Sequence, residues 1–315
     1  MYRKFLFFVL VSFLFVSCGE RQAKTGWRFA NEVYVAIDET FHPIMEEELQ
    51  TFALHNVDAN PQPLYCSEDS ALRMLLTDSI RCCVVTRPLS ESEREIIKAN
   101  RLTILQAMIA TDAFALIMHK NNPDSMITLN ELKKIVTGEI TRWEQLHNSG
   151  RKGEVSLVFD HSGSSTVRYM RDSLCGGKEL KGNLFAQGSN KAVIDFVKND
   201  SMVIGVVGAN WLKDQKVAAM NDFSNLDVYV MKVSRDTCPE DAVGFRPYQY
   251  RIATADYPLL RSVYVITTDP RRQSNTQRFH YFLKGQKGQT IICNFSQMLP
   301  ITPVQVKAVS VRLDD

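Results

Sequence analysis

Short β-branched runs and amphipathic helical runs alternate along nearly the whole chain. This alternation restricts it to an α/β fold with mainly parallel sheets, because neighbouring parallel strands need a helical crossover between them. "EVYVAI" (32–37) alternates as a strand does, and "DETFHPIMEEELQTFALHN" follows with Ile44, Leu49 and Phe52 on one helical face. "PLYC" and "SEDSALRMLLTDS" repeat that plan. "IRCCVVT" reads as a short buried strand, "RPLSESEREIIKAN" as a turn into a helix with Pro88 near its head, and "AFALIMHK" (113–120) as another strand. "TLNELKKIVTG" is an amphipathic helix with Gly138 as its C-cap. "NKAVIDFVKND" (helix), "MVIGVVG" (strand), "SVYVITT" (strand) and "NTQRFHYFLKGQKGQTIICNF" (one or two helices) continue the pattern.

One passage concentrates polar chemistry. In "SLVFDHSGSSTVRYMRDSL" (156–174) an apolar strand meets Asp160-His161-Ser162-Gly163-Ser164-Ser165-Thr166, and a helix starts at once. Hydroxyls at a helix start either cap the helix or, with its free N–H groups and positive end, hold an anion. The neighbours Asp160, His161 and Ser162 invite a hydrolase reading. A catalytic triad, however, is assembled from distant positions, and the chain has no G-x-S-x-G elbow. The six histidines show no metal-ligand spacing and no C-x-x-C pair exists, so no metal site and no cofactor is expected.

At the N-terminus, Arg3 and Lys4 precede "FLFFVLVSFLFVSC", a run too short for a membrane span and suited to a secretory signal. Its end, with Ser17 before Cys18, resembles a bacterial lipoprotein signal. That resemblance implies cleavage before Cys18 and lipidation of its sulfur; an ordinary signal peptide or an uncleaved anchor is the alternative. Residues 1–18 are then the signal and 19–26 a polar tether, and the remaining length suits two lobes. A formal charge of +2 without a basic run gives nucleic-acid binding no support. Cys66, Cys82, Cys83, Cys175, Cys238 and Cys293 can form disulfides in an exported protein or remain as buried thiols.

Several segments, in order, resemble the phosphate-binding proteins of ABC-type importers. They are "TFHPIMEEELQTF", "DSMITLNELKKIVTGEITRWEQL", "DHSGSST", "QGSNKAVIDFVKNDSMVIGVVG", "DYPLLRSVYV" and "FHYFLKGQKGQTII". The resemblance implies a two-lobe, type II periplasmic-binding-protein fold with a ligand cleft between the lobes. Residues 27–110 plus 255–315 would form lobe one and 111–254 lobe two, with crossings near Ala110-Thr111 and Ala255-Asp256. It also implies a monomeric cell-envelope lipoprotein that is not an enzyme, with inorganic phosphate or a related oxyanion as ligand and an ABC permease as partner. An oxyanion sensor or a surface scaffold with an altered site is the alternative.

The resemblance further implies three helix ends at the ligand. The first is Thr40-Phe41, with Pro43 in the first turn, and the second is the turn at Ser67. The third is Ser162-Gly163-Ser164, with Ser165 and Thr166 left to capping. Two departures stand out. Val158 occupies the position where the family carries an arginine, and Thr86-Arg87 stands where it carries a proton-accepting aspartate. Arg87 is therefore expected to supply the guanidinium, with Arg168 as a second candidate that must reach back. Asp160 is expected to accept the ligand's proton, with Asp38 and Glu39 behind it.

Overall fold

A computed structural model describes residues 32–122, 124–147, 149–213, 223 and 225–303. The signal, the tether, Cys18 and both ends of the expected first lobe lie outside the described residues. Chain order runs through β1 (Glu32–Asp38), a 3-10 turn (Glu39–Phe41), α1 (His42–His55), β2 (Asn60–Cys66), α2 (Glu68–Leu76), β3 (Cys82–Val85) and α3 (Glu91–Ala99). Next come β4 (Leu105–His119), β5 (Met126–Thr128), α4 (Leu129–Thr137), β6 (Ser156–Phe159), α5 (Ser165–Tyr169), β7 (Leu184–Ala186) and α6 (Asn190–Asn199). The chain closes with β8 (Val203–Gly208), β9 (Val228–Val230), β10 (Lys232–Ser234), α7 (Gln249–Ala253), β11 (Leu260–Thr267), α8 (Asn275–Lys284), α9 (Gln286–Phe295) and β12 (Leu299–Pro300).

The main sheet runs β2-β1-β3-β11-β4-β8-β6-β7. At its two ends the strands are parallel: β1 with β2 and β3, and β6 with β7 and β8. In the middle β11 and β4 pair antiparallel with each other, and each pairs antiparallel with its outer neighbour. β4 is much longer than its apolar stretch from Ala113 suggests. It begins at Leu105 because the polar Gln106, Thr111 and Asp112 all sit within the ladder to β11.

Apolar packing divides the molecule into two lobes. In one, α1, α8 and α9 cover one sheet face through Phe41, Ile44, Leu49, Phe52, Phe279 and Ile292. α2 and α3 cover the other face through Leu72, Leu75 and Ile97. Strands covered on both faces read as unbroken apolar runs, which is why β3 is simply Cys82-Cys83-Val84-Val85, all buried. Cys82 packs on the first face and Cys83 on the second, and all six described cysteines are free thiols. The second lobe has one core, in which α4 and α6 pack on the β4-β8-β6 sheet around Trp143. The first core stops at Ala110 on β4 and resumes at Val263 on β11, while the second spans Ala113 to Leu259.

The helix starts are locally encoded. Ser67, Ser90, Thr128, Ser164, Ser189 and Ser274 each accept a backbone N–H as N-cap, and Ser90 and Thr128 complete capping boxes with Glu93 and Glu131. Gly138 closes α4 at φ 80°, a left-handed conformation that costs glycine little.

Candidate functional site

The carboxyl ends of β1, β2, β3, β6 and β8 lead into turns and helix starts that meet between the lobes, the usual ligand position of open α/β sheets. Asp38 ends β1 and accepts the Thr40 N–H at 3.0 Å. Thr40 is fully buried, and its carbonyl crosses the cleft to accept Asn210 Nδ2 at 3.0 Å and Trp211 Nε1 at 2.8 Å. Asn190, at the start of α6, is a buried hub. Its amide nitrogen donates to Glu39 Oε2 at 2.6 Å and its oxygen accepts the Gly208 N–H at 3.2 Å. Gly208 is required here, since a Cβ would stand 2.5 Å from Thr40 Cγ2.

Beside this contact is a charged cluster that local sequence patterns do not reveal. Arg261 on β11 is the register partner of Asp112 on β4. Its Nε donates to Asp112 Oδ2 at 2.9 Å and its Nη1 to Ser165 Oγ at 2.7 Å. The guanidinium lies over the rings of Phe114 (4.1 Å to the centroid) and Phe41 (4.9 Å), which hold a desolvated cation favourably. Burial raises the carboxyl pKa values of Asp38, Asp112 and Asp160 above the ordinary aspartate range. The Arg261 charge pulls all three back down, and the hydroxyls of Ser165 and Ser164 do the same for Asp38 and Asp160, but desolvation wins.

Buried oxygens without a hydrogen-bond partner among the described residues occur here: Asp38 Oδ2, Thr40 Oγ1, Asp112 Oδ1, Asp160 Oδ1 and Thr166 Oγ1. Each such atom costs free energy on the order of 1–3 kcal/mol in an empty site. Five such oxygens lie on the strand ends and helix starts between the lobes, where a donor from outside the chain would satisfy them.

A second ionic contact joins the lobes through the protein's own groups. Glu68, at the start of α2, is 1% exposed. Its Oε1 accepts the Thr86 N–H at 2.6 Å and the Thr86 hydroxyl at 2.7 Å. Its Oε2 accepts Arg168 Nε at 2.6 Å from the opposite lobe, and Arg168 Nη2 reaches Thr86 Oγ1 at 2.7 Å.

The expected residues divide accordingly. Thr40, Phe41, Asp160 and Ser164 come together in the cleft. Ser164 caps α5, and Asp160 is 1% exposed with Asn190 Nδ2 at 3.5 Å. Ser162 and Gly163 are exposed, and a Cβ at Gly163 would meet only Asp69 Oδ2 at 3.8 Å. With Ser164, the buried hydroxyls of this turn are Ser165 and Thr166, which the sequence left to capping. Ser67 caps its own helix through Ser70 N–H and shares a hydrogen bond with the Ser70 hydroxyl.

Arg87, expected to supply the guanidinium, turns to its own lobe. Its fork is held bidentately by Glu93 on its own lobe, at 2.8 Å for both bonds, and it also donates to the Pro88 carbonyl. The carboxylate missing at Thr86-Arg87 is present in space, because Glu68 places its oxygens on Thr86. Val158 is fully buried in the second core. Arg168 does reach back, though to Glu68 and Thr86.

A family model described as a PBP superfamily domain matches residues 24–284. This chain belongs to that superfamily. Its two lobes, with the crossing strands β4 and β11 between them, form the two-lobe type II periplasmic binding fold. Phosphate-binding protein PstS of Bacillus subtilis is 22% identical over 288 residues, covering 90% of this chain and 85% of the relative. Protein SphX of Synechococcus elongatus is 23% identical over 181 residues, 56% of this chain and about half (54%) of that protein's length. Among solved structures, an ABC-type phosphate transport receptor from Vibrio cholerae superposes with a TM-score of 0.61 at 18% identity, over 85% of this chain and all of that one. Among the described residues no helix is long and apolar enough to cross a membrane.

Proposed function

We propose that this protein is an extracytoplasmic solute-binding lipoprotein that captures phosphate, or a similar tetrahedral oxyanion, between its lobes and delivers it to an ABC-type permease. The observation that carries the proposal is the set of buried hydroxyl and carboxyl oxygens, without a partner among the described residues, that both lobes place beside the Arg261 guanidinium. The names of the relatives support phosphate as the ligand.

The charge balance of the cleft supports the same choice. Glu68, Asp38, Asp112 and Asp160 stand against Arg168 and Arg261. An anion that carries no proton leaves the carboxyl oxygens there without a donor. Phosphate keeps a proton near neutral pH and can donate it to Asp160 Oδ1 or Asp38 Oδ2, whereas sulfate has none to give and leaves those acceptors unpaired. Lipidation at Cys18 would hold the protein at the membrane surface beside its permease.

Titration calorimetry with phosphate, sulfate and molybdate tests the reading. Saturable phosphate binding, with sulfate at least about a hundredfold weaker, is the expected result. Absence of binding by all three anions would sink it. That outcome would favour the second reading, a scaffold on this fold, which the Arg168–Glu68 bridge supports because it joins the lobes without any ligand. Cys18→Ala should move the full-length protein from the membrane fraction to the soluble one.

A further inference from the structure

We infer that Arg261 is the residue that grips the oxyanion, so the guanidinium absent at Val158 has been re-supplied from β11 rather than from Arg87. The inference rests on the proposed function and names the group that carries its main charge contact. Three independent observations lead to it.

The first is availability. Arg87 has its fork closed on Glu93, and Arg168 spends its Nε and Nη2 on Glu68 and Thr86. Arg261 donates through Nε to Asp112 and through Nη1 to Ser165. Its Nη2 pairs with the same Asp112 Oδ2 at 2.8 Å, on the edge it shares with Nε. A guanidinium has five N–H donors in a planar fork, so beyond the three turned to Asp112 and Ser165 two remain for an anion.

The second is position. The side chain is 3% exposed and lies between the Phe41 ring of one lobe and the Phe114 ring of the other. Through Ser165 it is tied to the α5 start, and its charge is felt by Asp38 and Asp160. The Thr40 and Thr166 hydroxyls, without a partner among the described residues, are chain neighbours of Phe41 and Ser165, which both contact Arg261. An anion here would take the remaining Arg261 donors and these hydroxyls together, while the acid oxygens would receive its proton.

The third is orientation. Asp112 sits directly across the β4–β11 ladder and holds the Nε–Nη2 edge at 2.9 and 2.8 Å, which orients the guanidinium. Asp112 is therefore a positioning residue, and the cluster lies on the two strands that join the lobes. Arginine suits this task better than lysine, whose point charge offers no fork.

The test compares the full-length wild type with Arg261→Lys, Arg261→Gln and the control Arg87→Gln. Each is titrated with inorganic phosphate, and the phosphate-induced rise in Tm is read alongside the calorimetry. Expected are a loss of affinity of at least about tenfold in Arg261→Lys and about a hundredfold or more in Arg261→Gln, with Arg87→Gln within about threefold of wild type. Because the Tm increment reports binding to whatever fraction folds, a less stable variant still gives an answer. Should Arg261→Gln fail to melt cooperatively, the charge-conserving Arg261→Lys decides. Arg261 variants that keep wild-type affinity and a full phosphate-induced Tm increment would overturn the inference while leaving the phosphate reading intact. A wild type that binds no phosphate would overturn both.

Discussion

Asp160 concentrates the tension in this molecule, because a carboxyl that is 1% exposed and has an unpartnered oxygen is costly while the cleft is empty. Its pKa is raised, so the folded protein holds that proton more tightly than the unfolded chain does. Stability from this group is complete below the ordinary aspartate value of 3.8 and is lost as pH rises through the raised folded value. Asp160→Asn should therefore stabilise the empty protein at pH 7 by about 1–2 kcal/mol and flatten its pH dependence above pH 4, while weakening phosphate and favouring sulfate. Melts across pH 4–8 with matched titrations check this. Arg87 gives the opposite sign. The pair it forms with Glu93 holds that carboxyl down at about 2, so its contribution is present above 4.5 and is lost as pH falls through the depressed value. The pair is partly solvated, so Arg87→Ala should cost only about 1 kcal/mol at pH 7, with variant and wild-type melts converging as pH approaches 2.

At the scale of elements, helix starts were legible and what they face was not. Thr40, Phe41, Ser164 and Asp160 are implied by the family resemblance, whose motifs are local arrangements of a few residues at a cap or a strand end. Ser165 and Thr166 could not be separated from their capping neighbours by spacing alone. The Glu68–Arg168 contact joins α2 to α5 across a separation of 100 residues, and no periodicity encodes such a contact. Arg168→Gln removes one partner of an ion pair whose other member is buried, at a cost of about 3 kcal/mol to the closed form. Phosphate should then dissociate at least about tenfold faster in stopped-flow measurements, with a smaller effect on association. Gly208→Ala forces a methyl to within 2.5 Å of the Thr40 side chain, so the lobes cannot meet fully at that point. Its phosphate affinity should fall by about tenfold or more in calorimetry, while the separate lobe cores keep the fold.

At the scale of the whole molecule, β4 and β11 carry both the lobe connection and the Asp112–Arg261 pair. Their ladder shifts register between Val263 and Tyr264, and Gln289 donates to the carbonyl of Ile109 beside that irregularity. Ala255, just before the crossing strand, has φ 56°. We propose that bending between the lobes is taken up around Ala110-Thr111 and Ala255-Asp256, as in hinge closure about a bound ligand. The radius of gyration from small-angle scattering should fall when phosphate is added to wild type, and Arg168→Gln without phosphate should be the more expanded protein. An identical profile with and without phosphate would count against closure.

The sequence by itself determined the alternation of strands and helices, their caps, the α/β class and the hydroxyl-rich helix starts, because each depends on residues within one or two turns of each other. Its resemblance to the phosphate-binding proteins implies an arginine where Val158 stands and an aspartate where Thr86-Arg87 stands. Only the tertiary structure shows which charged groups lie together between the lobes. Arg261 and Asp112 are 149 residues apart, and antiparallel pairing of the two crossing strands brings them together; Glu68 and Thr86 meet because parallel strands align their carboxyl ends. Charge acts through space and burial, and both are properties of the packed lobes rather than of any stretch of chain.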